Sequence, residues 1–381
     1  MSQLKAKMKN SSKKIKVLFR LSFLYHRASL DPIYEVMKED PRFDIYFSCE
    51  DEKERKFLFF TRSLKDKIHE KLRQEGLKVT EKKSGFDIVI TGDTIRDAHR
   101  YGKTVLAFIN HGTGIKTILY RNLKSQPHTK YIIFVEGPYR KRKIIEEGAL
   151  FNNEVYVVGY PKLDPIFQGK LNREEIMKKW GLDPSKKTIL YAPTYKPTSI
   201  YALKDAIFEY TKDFNLIIKL HPYSWRGKYA PHSQHRIIEK RLKKYNHAVL
   251  IPPEEHKILP FIHVADVMIT EASSTMFEFL AIGKYGIIYN LPYEKLKHHD
   301  GTPILSEDNR EFLKGAFVHV DSPNELPEAI LRALNPTPEM QEMVQKYRND
   351  LFYKLDGNAS KRIVEKLVEL YEEGGHENTL Q

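Results

Sequence analysis

Short apolar, β-branched runs bounded by Gly, Pro or Asp recur along this 381-residue chain, separated by helix-length segments. Such runs read as strands buried on both faces, the pattern of parallel sheets covered by helices. In the first half they are Ile15–Leu21, Phe43–Cys49, Phe86–Thr91, Thr104–Asn110 and Tyr131–Val135, with helical spacing over Pro32–Glu39 and Leu64–Glu75. Val155–Val158 reads as the start of the crossing into the second half. There the runs are Thr188–Tyr191, Leu216–Leu220, Ala248–Ile251, Val267–Thr270, Gly286–Tyr289 and Ala316–Val320. Two βαβ series in succession predict an α/β fold of two doubly wound, Rossmann-like domains facing a cleft, with ligands at the carboxyl ends of the strands. The expected divisions are a first domain over 1–159, a proline-containing linker over 160–187 and a second domain over 188–337. Terminal helices over 338–381, broken at Asp356-Gly357, would pack back on the first domain.

The single cysteine, Cys49, excludes an intrachain disulfide and any Cys-based zinc cluster, and fits a reducing compartment. No apolar core follows the basic N-terminus as a secretory signal requires, and no uninterrupted apolar stretch reaches the roughly 18 residues of a membrane span. A cytoplasmic chain, lying at most on a membrane surface, is the expectation. Lys+Arg number 63 against 50 Asp+Glu, a net charge of +13 that favours an anionic partner. Lys5, Lys7, Lys9, Lys13, Lys14 and Lys16 crowd the N-terminus, and Arg140, Lys141, Arg142 and Lys143 form a second run. These are solvated faces or contacts to anionic headgroups. Ile115–Leu123 is amphipathic, facing either a core or a membrane. Neither basic run carries interleaved aromatics, so nucleic acid is not an expected partner.

Four motifs fall at strand ends. Asn110-His111-Gly112-Thr113-Gly114-Ile115-Lys116 offers a tight turn and a histidine that suits a general base, or merely a polar loop with one of 15 histidines. Tyr191-Ala192-Pro193-Thr194-Tyr195-Lys196 presents a hydroxyl and a cation after a rigid turn, fit for a phosphate or an ordinary turn. Lys219-Leu220-His221-Pro222 delivers His221 to the sheet edge, where Pro222 stops further pairing. Asp266–Thr275 ends a buried strand and opens a helix, so Ser273 and Ser274 sit where free N–H groups would hold a phosphate; a plain N-cap accounts for one of these hydroxyls. Asp356–Arg362 is a turn leading into a helix, with Arg362 near enough to be a phosphate ligand or simply part of a helix start.

Together these motifs resemble the CDP-glycerol glycerophosphotransferase family, which builds teichoic acid-type polymers. The resemblance rests on His111-Gly112-Thr113…Lys116, Gly159–Asp164, Tyr191–Thr194, Leu220–Pro222, Asp266–Ser274 and Asp356–Val364, in that order, over about residues 85–365. Gly114, Lys162-Leu163 and Glu271-Ala272 depart from the family's usual Pro, Arg-Asn and Asp-Tyr. The resemblance implies a GT-B-type fold with the donor held mainly by the C-terminal domain and the membrane-facing acceptor by the N-terminal one. It implies transfer of glycerol phosphate from CDP-glycerol to a polyprenyl-diphosphate-linked saccharide or polymer, with CMP released. His111 and His221 would be catalytic, His111 as base, and Gly112, Thr113, Lys116, Thr194, Lys196, Glu271, Ser273, Ser274 and Arg362 would bind substrate. No Asp-x-Asp metal motif is present, and neither metal nor cofactor is expected. A nucleotide-sugar glycosyltransferase or sugar-nucleotide epimerase would share the fold, and a non-catalytic anion-binding protein would share the charge.

Overall fold

The strand ends that carry the motifs converge because two parallel sheets present their carboxyl edges to each other. The computed structural model describes residues 14–50, 53–57, 60–110, 112–225, 234–297, 301–304 and 311–377. The first sheet runs in the order Phe43–Cys49, Ile15–Leu21, Ile88–Thr91, Val105–Ile109, Ile132–Val135, Glu154–Val157, all parallel. The second runs Ala248–Leu250, Asn215–Ile218, Thr188–Tyr191, Val267–Thr270, Tyr285–Tyr289, Val318–Val320, again all parallel. This is the two-sheet α/β architecture that the alternating runs predict. Ile189, Tyr191 and Ile269 pack into one core of the second half, while Leu190 and Met268 pack into another on the opposite face. That alternation is why these runs are apolar throughout.

The Val155–Val158 run is corrected: it belongs to the sixth strand of the first sheet, Glu154–Val157, paired with Ile132–Val135. As an edge strand its side chains are only half-buried, so it lacks the uniform apolarity that marks the interior strands. An antiparallel hairpin of Lys53–Phe57 and Phe60–Ser63 has no counterpart in the sequence reading.

Residues 160–187 contain the short helices Asp164–Phe167 and Arg173–Lys179, the latter capped by Asn172, whose side chain accepts from the backbone of Glu174 and Glu175. Leu163, Met177 and Leu182 are buried in the second half's core. The terminal helices divide their packing. In Pro338–Leu351, Val344 and Leu351 join the second half's core, while in Ala359–Glu377, Ile363, Val364, Leu367 and Val368 complete the first half's core. The chain thus crosses between halves twice, and the crossings touch. Arg362 Nε donates to Val158 O at 2.7 Å, Ala359 N and Ser360 N donate to the Asp164 carboxylate at 3.1 and 2.8 Å, and a Cβ on Gly159 (φ +94°) would lie 2.8 Å from Tyr353 O.

Ile115, Leu119, Tyr120 and Leu123 are buried, so the Ile115–Leu123 stretch faces the interior. Among the described residues no helix is long and apolar enough to cross a membrane.

Candidate active site

A cavity of about 400 Å³ lies between the two carboxyl edges, lined from the first half by the 110–119 segment and from the second by the loops after the Thr188–Tyr191, Asn215–Ile218 and Val267–Thr270 strands. Parallel sheets leave their ligand crevices at this edge.

The first-half loop is clamped. His111 itself lies outside the described residues, but its neighbours are fixed. Asn110 Nδ2 donates to Gly112 O, and the buried Thr113 donates its hydroxyl to Glu136 Oε1 at 3.1 Å. Gly112 approaches Ser274 across the cavity: a Cβ there would sit 3.8 Å from the Ser274 Cβ. Gly114 has φ +106°, and a Cβ would meet the Phe277 ring at 2.4 Å, so no other residue fits without displacement. Its carbonyl accepts from Arg140, which also donates to Glu136 Oε1 at 3.1 Å and to the Tyr120 hydroxyl at 2.9 Å. Arg140 therefore cannot be a headgroup contact; it is 2% exposed. Of the same basic run, Arg142 pairs with Asp350 at 3.0 Å and Lys143 with Glu146 at 3.2 Å, so this helix is largely neutralised. Of the N-terminal lysines, residues 1–13 lie outside the described part. Lys116 lines the cavity, where burial lowers its pKa against the opposing pull of Glu271.

On the second-half side, Glu271 is buried, and its carboxylate accepts from Thr194 N at 2.7 Å and Ser199 N at 2.5 Å. Burial raises its pKa, and those bonds act the other way. Its observed contacts make it the brace of the Thr194 turn. The Thr194 hydroxyl is bonded to Pro197 O, while the exposed Lys196 stands at the rim. Ser273 caps the Ser274–Ala281 helix, accepting from Thr275 N at 3.4 Å, and Ser274 faces the cavity at the helix's positive end. Arg362, expected as a ligand, is not brought to the cavity with the others. Its guanidinium is occupied by Val158 O, the Asp356 carboxylate and Lys354 O, which fix the inter-half crossing. Other cations that line the cavity, Lys162 and Lys219 among them, were not expected ligands. Lys162 forms a buried pair with Glu278 at 2.6 Å, and Lys219 sits beside the expected His221. Among the described residues no group of three or more His, Cys, Asp or Glu is placed to hold a metal ion.

His221 is neutral. Burial, then Lys116 and Lys219, lower its pKa to about 3. Its Nδ1 accepts from Tyr223 N at 3.1 Å, which leaves Nε2 carrying the proton and free to donate. The sign of the stability effect follows. Above pH 6.5 the ring is neutral folded and unfolded and contributes no slope. Below it, only the unfolded chain takes the proton, so stability is lost as pH falls toward about 3. At pH 5 the loss amounts to roughly 2 kcal/mol. His221→Asn should flatten the pH 4–6 limb of a urea-unfolding series, and an unchanged limb would count against this assignment.

The chain matches, over residues 5–369, the family model described as CDP-Glycerol:Poly(glycerophosphate) glycerophosphotransferase. It is 23% identical over 278 residues to a teichoic acid poly(glycerol phosphate) polymerase of Bacillus spizizenii, covering 68% of this chain and 64% of that protein. It is 24% identical over 170 residues to a teichoic acid glycerol-phosphate primase of Bacillus subtilis, covering 42% of this chain and 40% of that protein. It thus spans less than two thirds of the length of either relative. A solved variant of the wall teichoic acid polymerase TagF, soaked with CDPG, superposes with a TM-score of 0.65 at 17% identity over 94% of this chain and 89% of that one, a likeness of fold. The match of the family model over residues 5–369, together with a cleft that gathers Gly112-Thr113 and the APT, LHP and Ser-Ser segments at one pair of sheet edges, places the chain in the CDP-glycerol:poly(glycerophosphate) glycerophosphotransferase family.

Proposed function

We propose that the chain transfers glycerol phosphate from CDP-glycerol to a hydroxyl of a polyprenyl-diphosphate-linked saccharide, or of a polymer growing on it, and releases CMP. The observation that carries this reading is the donor set of the cleft. Ser274 at a helix N-terminus, the Nε2–H of a neutral His221 and the ammonium of Lys116 face one cavity, while the carboxylate beside them, Glu271, is bonded to two backbone amides. That set suits a diphosphate and the charge that grows on it. The acceptor oxygen attacks the β-phosphorus as the bond to the bridging oxygen breaks, and the electron pair leaves with CMP. The acceptor proton goes to a base, assigned to His111 on the family motif. The priming step is the expected place in the sequence of transfers. The lysine-rich N-terminus is the proposed contact with the inner face of the membrane.

The test is calorimetric binding of CDP-glycerol, CDP-ribitol, UDP-N-acetylglucosamine and CMP. CDP-alcohol and CMP should bind, and the Ser273→Ala/Ser274→Ala double variant should bind CDP-glycerol about tenfold more weakly, the equivalent of about 1.4 kcal/mol. Binding of the UDP-sugar alone would overturn the reading in favour of a sugar-nucleotide enzyme.

A further inference from the structure

A second cavity lies beside the cleft, within the second half. It encloses about 450 Å³ against the cleft's 400 Å³, and the two share Glu271, Ala272 and Leu296 as lining. Glu271 is held by two backbone amides, and Ala272, which immediately precedes the Ser273 cap, contributes only a methyl group. This chain has Ala272 where the family usually has tyrosine. A phenol ring there would have to lie in one cavity or the other, so the methyl leaves room beside the start of the Ser274–Ala281 helix. The chamber's walls are mixed. Phe312 and Phe317 are apolar, whereas His319 lies with Nε2 3.0 Å from Phe312 O and Nδ1 2.8 Å from Asn290 Oδ1, and Asn290 Nδ2 donates to Asp321 at 3.0 Å. His319 and Asn290 are half-buried, so part of each faces open space. Of the charged lining, Glu311 and Lys314 pair with each other at 2.6 Å, and Arg332 is exposed. Carbon faces beside amide and imidazole groups suit a polyol, whose hydroxyls need partners, better than a lipid chain.

The sheet order sets where this chamber stands relative to a bound donor. Tyr285–Tyr289 and Val318–Val320 lie on one side of Val267–Thr270, the strand that leads to Ser274, and Asn215–Ile218 lies on the other. A diphosphate held at Ser274 carries a nucleoside at one end and an alcohol at the other. On the His221 side the Tyr195 and His221 rings pack with centroids 4.6 Å apart and offer ring faces to a nucleobase. The alcohol is then directed to the opposite side, where the chamber adjoins Ala272.

We infer that Ala272 is a specificity-determining residue, and that the chamber behind it receives the alcohol of a CDP-alcohol donor longer than glycerol, a pentitol in size. Glycerol stays within the cleft, whereas a pentitol reaches the His319 and Asn290 wall. This rests on the functional reading, which places the donor diphosphate at Ser274.

The experiment is calorimetric titration of CDP-glycerol, CDP-ribitol and CMP into the full chain, for wild type, Ala272→Tyr and Asn290→Leu. Wild type should bind CDP-ribitol at least as tightly as CDP-glycerol. Ala272→Tyr should lose at least about tenfold in CDP-ribitol affinity while CDP-glycerol and CMP stay within about twofold. Asn290→Leu, on the chamber's far wall, should lose about fivefold for CDP-ribitol alone. Retained CMP binding shows that each variant is folded. Three results overturn the inference: a wild-type preference for CDP-glycerol of about tenfold or more, both variants weakening the two CDP-alcohols alike, or neither variant changing CDP-ribitol affinity. Failure of the functional reading looks different, since wild type would bind neither CDP-alcohol nor CMP.

Discussion

Replacing His111 with alanine is expected to slow CMP release by a factor on the order of 10²–10⁴ while CDP-glycerol affinity stays within about twofold. An alcohol attacks phosphorus slowly unless a positioned group accepts its proton. Of the two histidines the family motifs single out, His221 is unsuited to that task, because its Nδ1 lone pair is taken by Tyr223 N–H and a pKa of about 3 makes it a poor proton acceptor. The proposed base is instead His111, assigned on the family motif and preceding in sequence the clamped Gly112–Gly114 segment. Single-turnover CMP release alongside calorimetric donor binding separates the two effects. Wild-type turnover in His111→Ala would remove the histidine from the mechanism.

Glu136→Leu should destabilise the chain by about 3–5 kcal/mol, because it strands the Arg140 guanidinium in the interior. Burial opposes that charge, yet Glu136 and Tyr120 outweigh it and hold the Arg140 pKa above its ordinary value. The double variant Glu136→Leu/Arg140→Met should regain most of the stability, since a buried ion pair exchanged for apolar packing is often neutral or better. Turnover should stay depressed by about 10²-fold, because Thr113 and the Gly114 carbonyl have lost the partners that position the loop. Urea midpoints and CMP release read these outcomes separately. If the double variant recovered full activity, the pair would be only structural; if the single variant unfolded at the wild-type midpoint, it would not even be that.

The contrast between Arg140 and His221 shows what a sequence makes legible. Buried parallel strands announce themselves because both faces must be apolar, so the ends of Thr188–Tyr191 and Val267–Thr270, and with them Thr194, Ser273 and Ser274, fall where the pattern predicts. The sixth strand of the first sheet reads only as the start of the crossing, because its side chains are all half-buried and begin with a charge at Glu154. The depth of a charge is hidden more thoroughly. Arg140 heads a run of four cations, and only the Glu136 carboxylate one turn earlier, at i−4, hints at an internal partner. Arg362 is not brought to the cavity because its partners, Val158 and Lys354, lie on the two crossings, whose meeting no local pattern records. Lys219 stands in plain view inside a recognised motif, but its burial is a property of three dimensions.

The two inter-half crossings are bonded to one another, with Arg362 on Val158, the Asp164 carboxylate on the start of the last helix, and Gly159 against Tyr353. Two independent tethers at separate places would act like paired hinges and confine any opening to a single line. Tethers fused at one spot act instead as a universal joint. Any relative motion of the halves would pivot about that spot, and would first have to part the contacts that join them elsewhere, such as Thr117 with Pro303 and Arg142 with Asp350. Such a pivot would change the width of the cleft without either half having to unfold any part of its core.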